Sequence, residues 1–223
     1  MNYVISVVSR QSLPTLTQIH DELGIPLAVT LHGHGTAVQS MLELLGIDSA
    51  SRRVVMAAAN EEKTVTLIRE AKRRLYIGVP GHGIIVSVPM KSIGGGRTLS
   101  YLNCGEMPAQ RKPEINGTYE LIVAIANEGR TDTVMNAARS AGCSGGTVLH
   151  GKGTAPEGAE RFLNVSIATE KEVILIVAKR EQKAQIMRAV LEAAGPGTPA
   201  GTVLFSLPVT DVAGFGLFDE KDQ

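Results

Sequence analysis

The chain is written twice. Leu31-His32-Gly33-His34-Gly35-Thr36-Ala37 returns as Leu149-His150-Gly151-Lys152-Gly153-Thr154-Ala155, six of seven residues identical at an offset of 118 positions. Val86-Ser87-Val88-Pro89 is echoed by Phe205-Ser206-Leu207-Pro208, and Tyr3 and Tyr119 each open an apolar run. Solenoid repeats are about 20–50 residues long. This period is far longer, so each copy must be a small fold in its own right. The expected boundaries are a first domain at 1–96, a linker rich in Gly and Pro at 97–116, a second domain at 117–216 and a tail at 217–223.

Composition narrows the classes. Lys plus Arg and Asp plus Glu are 22 each among 223 residues. A neutral chain lacks the electrostatic footprint of a nucleic-acid or anionic-membrane binder. Cys104 and Cys143 have neither metal-type spacing nor partners for a disulfide framework. No apolar stretch reaches the roughly 20 residues that cross a bilayer, and no basic leader with an apolar stretch opens the chain. The expected setting is cytoplasmic and not membrane-embedded.

Each copy reads strand, helix, strand, short helix, strand, helix, strand. In the first, strands fall at 3–8, 27–31, 54–59 and 84–88. Ser12 is placed to cap a helix with Leu16, Ile19 and Leu23 on one face and Gly24 at its end. A short helix is expected at 38–45. Asn60 is placed to cap the helix through Leu67, Ile68 and Leu75. The second copy repeats the order, with strands at 119–126, 147–149, 173–178 and 203–207. Thr131 is placed to cap a helix carrying Val134, Ala137 and Ala138, and further helices are expected at 157–163 and at 182–194. The linker holds one extended piece near 99–102. This order predicts an α+β protein of two tandem ferredoxin-like (βαββαβ) domains, with both long helices on one sheet face. Val54–Ala59 and Val173–Val177 are apolar without alternation. Such strands are buried on both faces, so a sister domain or another chain must cover the second face.

Several motif matches fail on context. Gly142-Cys143-Ser144-Gly145-Gly146 fits a nucleophile elbow, but a helix precedes it and a strand follows, the reverse of what that elbow needs. Gly146 to Lys152 fits a phosphate loop, yet Gly153 follows the lysine and Thr147-Val148-Leu149 fills the loop. RNA-binding sheets of this topology stack bases on aromatics, and the third strands carry none. No acid/base pair or activated nucleophile emerges, so the chain is expected not to be an enzyme. His32 and His34 alternate on one extended face, and with His82 they form an alternative metal-ligand set.

The glycine pairs remain. Gly33 and Gly35 follow the second strand and match Gly151 and Gly153. Gly81 and Gly83 precede the fourth and match the stretch Gly195 to Gly201. Glycine permits positive φ and close approach of a ligand to backbone N–H groups, a surface that suits anions. With Thr30-Leu31-His32-Gly33-His34-Gly35 and Gly81-His82-Gly83 through Pro89, the first copy resembles the nitrogen regulatory P-II family. So does the second, through Thr147 to Gly153, Gly201 to Pro208 and Asp211-Val212.

The resemblance implies a ferredoxin-like trimer with sheets facing inward, and regulation of nitrogen utilisation rather than catalysis. It also implies ATP or ADP in clefts between domains and a protein target, an enzyme or transporter, held through residues 36–52 and 154–170. By motif match, Thr30, Gly33, Gly35, Gly81 and Gly83 line one cleft, with Arg97 nearby. Thr147, Gly151, Lys152, Gly153, Gly201 and Thr202 line the other. Ile84 and Thr202 stand where the family places a phosphate-neutralising lysine, and Ala37 and Ala155 replace its glutamine. Each lost charge-assisted bond is worth about 1.5–3 kcal/mol.

Overall fold

A computed structural model describes residues 1–36, 51–79, 81–93, 96–105, 115–152 and 170–214. The chain divides into two compact units. One contains Met1–Leu31, Arg52–Asn116 and Pro208–Gln223, and the other His32–Ser51 and Gly117–Leu207. This partition is not that of the two sequence copies: the end of the first copy's second strand lies in the second unit, and the C-terminal segment lies in the first.

The first unit is built from β1 (Asn2–Ser9), α1 (Leu13–Glu22), the first half of β2 (Ala28–Gly35), nearly all of β3 (Ser51–Ala59), α2 (Glu61–Leu75), β4 (Gly83–Pro89) and α3 (Gly96–Leu102). β1 is central, antiparallel to β3 (Asn2↔Ala59 to Ser9↔Arg52) and to β4 (Asn2↔Pro89 to Val8↔Gly83). β2 flanks β3, and a late strand, β9 (Asp211–Ala213), closes the outer edge of β4 through Val86↔Val212 and its neighbours. Leu16 and Ile19 of α1 and Leu67 and Ala71 of α2 pack on Val4, Val55 and Ile85 of the sheet.

The second unit holds β5 (Tyr119–Asn127), α4 (Thr131–Ser140), β6 (Thr147–Lys152), β7 (Glu170–Lys179), α5 (Arg180–Ala194) and β8 (Val203–Pro208). β5 pairs antiparallel with β7 (Tyr119↔Lys179 to Asn127↔Lys171) and is flanked by β8, while β6 lies outside β7. Val134, Met135, Ile186 and Val190 cover Ile122 and Ile176. In both units the order is fourth strand, first, third, second, with two helices on one face: the ferredoxin-like fold, twice. The opposite faces are buried as well, at Ile5, Val7, Val54 and Val86 in one unit and Leu121, Val123, Leu175 and Val177 in the other. Unbroken apolar strands required this.

Local details correct the sequence reading at four points. Ser12 precedes α1 in helical backbone, and its hydroxyl pairs with that of Ser9 at 2.9 Å instead of capping. Thr131 is the first residue of α4, not its cap. Residues 99–102, expected to be extended, lie in helix α3, where Leu102 is buried. The glycine motifs, expected after the second strands, are strand themselves: β2 runs to Gly35 and β6 to Lys152. Asn60 does cap α2, accepting from Lys63 N at 2.9 Å. The short helices expected at 38–45 and 157–163 lie outside the described residues.

Candidate functional site

The two copies of the repeated motif meet. Within the second unit the end of β2 runs antiparallel to β6, with Gly33↔Leu149, His34↔Val148 and Gly35↔Thr147. Thr36 fastens the end of this ribbon. Its N–H and its hydroxyl both donate to Gly146 O at 2.9 Å, and the hydroxyl accepts from Gly146 N at 2.8 Å. Arg139 donates to Thr36 O. A Cβ at position 146 would lie 3.0 Å from Leu175 O, which is why glycine stands there. The exposed rings of His34 and His150 lie edge to face with centroids 5.8 Å apart.

Along one row of the sheet, Gly151 sits opposite Lys171 and Lys171 opposite Asn127. Lys171 is 7% exposed. Its ammonium donates to Asn127 Oδ1 at 2.5 Å. Burial lowers the Lys171 pKa, with no compensating carboxylate among the described residues. Asn127 is itself tied to the loop before β8. Its N–H donates to Ala200 O at 2.9 Å, and its side-chain amide donates to Pro199 O at 3.0 Å. Gly151, Lys171, Asn127 and the loop carrying Gly201 therefore converge on one end of this sheet.

The adjacent carboxylate is spoken for. Alternation sends Glu172 to the opposite face from Lys171. There it accepts from the N–H groups of Gly129 (3.0 Å), Arg130 (3.1 Å) and Thr131 (2.8 Å), and from the Thr131 hydroxyl at 2.8 Å. Burial would raise its pKa, but these hydrogen bonds, the Thr131 hydroxyl foremost, hold it below the usual carboxylate range. A buried carboxylate at the N-terminus of α4 also meets the positive end of the helix dipole. Its charge is thus unavailable to neutralise Lys171.

The remaining expected residues fall as follows. Thr147 is buried opposite Gly35. Thr202 is fully buried, its N–H donates to Ala194 O at 2.9 Å, and its hydroxyl finds no partner among the described residues. Gly201 has φ +53. Thr30 is exposed on the part of β2 in the first unit. Gly83 is packed rather than open, since a Cβ would collide with Val7 O and, at 2.9 Å, with Ile77 Cδ1. Gly81 has φ +89 with free space around it. Arg97 lies in the first turn of α3 and Lys152 on β6. The side chains of both, and Gly153 altogether, lie outside the described residues.

Among the described residues no three His, Cys, Asp or Glu side chains gather as a metal site. His32, His34 and His82 are therefore not assembled into one, and His82 meets the Tyr76 ring at 6.1 Å instead. Lys171, Asn127 and Glu172 belong to none of the sequence motifs. One signal was present: Lys171 is in phase with Val173, Leu175 and Val177, so a charged residue continues an inward-facing row. Among the described residues no helix is long and apolar enough to cross a membrane.

Residues 119–215 match the family model described as nitrogen regulatory protein P-II. The family match lies within the second copy of the repeat. No curated protein matches it. Among solved structures it is similar to Arabidopsis thaliana PII bound to citrate, at 24% identity over 43% of this chain and 79% of that one, with a TM-score of 0.34. It is also similar to the B. subtilis GlnK–ATP complex, at 15% identity over 44% of this chain and 96% of that one, with a TM-score of 0.33.

Proposed function

We propose that this chain is a non-catalytic P-II-like regulator of nitrogen utilisation whose second unit binds a small anionic effector beside Gly151 and Lys171. The observation that carries this reading is the Lys171 ammonium, buried with a neutral amide as its one acceptor among the described residues. A buried charge is costly unless paired. A carboxylate or phosphate oxygen placed there supplies the missing partner, and the bare backbone of Gly151 leaves it room. Adenine nucleotide is one candidate ligand and a small carboxylate another. The proposed protein target contacts residues 36–52 and 154–170, and the proposed assembly is a homo-oligomer of trimeric type.

Calorimetry with ATP, ADP, citrate and 2-oxoglutarate tests the effector. At least one should bind, and Lys171→Met should weaken it tenfold or more, the loss of one charge-assisted bond. Silence from all four, or binding indifferent to Lys171→Met, would remove the reading. Light scattering tests the assembly, and a monomer would remove that part alone.

A further inference from the structure

We propose that His34 and His150 together form a two-imidazole site for a divalent transition-metal ion, Cu²⁺ or Zn²⁺, its remaining positions taken by water. The two histidines come from the two copies of one motif, and the antiparallel register makes them neighbours. His34 stands opposite Val148, so His150, two residues further on, shares its face. Their centroids are 5.8 Å apart and their planes 77° apart. Metal–nitrogen bonds of about 2.0–2.1 Å put the centroids of two rings on one ion roughly 5–6 Å apart. The observed centroid spacing falls within that range.

The surroundings favour an ion over a packed aromatic contact. Both rings are exposed. Imidazole suits these ions, and Cu²⁺ binds most tightly of the first-row divalent series. The site differs from the His32, His34 and His82 set expected from the sequence, because the partner of His34 is supplied by the second copy. An ion here would bridge the two motif copies and stiffen the pairing of β2 with β6.

The test uses the full chain without an affinity tag. Titration with Cu²⁺, followed by electron paramagnetic resonance, should show one ion per chain with hyperfine coupling from two nitrogens. Zn²⁺ should raise the melting temperature. His34→Gln and His150→Gln should each weaken binding tenfold or more and abolish the Zn²⁺ shift, while melting like the parent without metal. His82→Gln and Lys171→Met should leave binding unchanged, which separates this site from the proposed effector site. Retention of the two-nitrogen signal in the double variant, or equal binding by all variants, would overturn the proposal.

Discussion

Gly81 lies in the turn before β4 and Gly83 is the first residue of that strand, and they are glycine for different reasons. Both have positive φ, but only at Gly83 would a Cβ strike backbone, at Val7 O. Gly83→Ala should therefore cost about 2–4 kcal/mol, from strain and from displacement of β1, whereas Gly81→Ala should cost about 1 kcal/mol from φ alone. Chemical denaturation of the two variants checks this, and equal losses would show that Gly83 is not held by packing. Glu172 poses the charge question at the same scale. Glu172→Gln should lose about 1–2 kcal/mol at pH 7, because the ion that binds the α4 N-terminus is gone. The folded-state pKa lies below the ordinary value, so this stabilisation is complete above about pH 4.3 and disappears as pH falls through the folded-state value. The gap between variant and parent should close on acidification. A gap that stays constant with pH would mean that packing, not charge, is lost.

At the scale of elements, local signals and long-range partners divide the work. Asn60 caps α2 through its own neighbour Lys63, so a three-residue pattern was sufficient to find it. The start of α4 is capped from 41 residues away by Glu172, and no local pattern could name that partner. The linker shows the same divide. Leu99 and Leu102 are compatible with a strand or a helical turn, and burial of Leu102 with a bond from Tyr101 OH to Pro26 O at 3.1 Å settles on α3. β9 is three residues long and owes its existence to the edge of β4, where Thr210 N donates to Ser87 O at 2.8 Å and their hydroxyls pair at 2.7 Å. Ending the chain after Pro208 should therefore speed amide exchange in β4 and lower the melting temperature. Unchanged protection of Val86 and Ser87 would mean that β9 contributes nothing to that edge.

On the scale of the whole molecule, the repeat and the compact units do not coincide. The first unit needs β9, from the far end of the chain, and β6 of the second unit needs Gly33–Gly35 from the first copy. Fragments 1–106 and 107–223 should each melt well below the parent, since each lacks strand pairings that the other supplies. Fragments as stable as the full chain would show that the copies fold independently. The amino-acid order by itself determined the duplication, the βαββαβ succession in each copy and the burial of both sheet faces, because apolar periodicity and length act locally along the chain. Only the tertiary structure decided that the histidine–glycine motifs pair with each other, that Lys171 is left buried beside them and that Glu172 is committed elsewhere. Those are outcomes of register and strand order, set by contacts between residues more than a hundred positions apart in the case of the motif pairing.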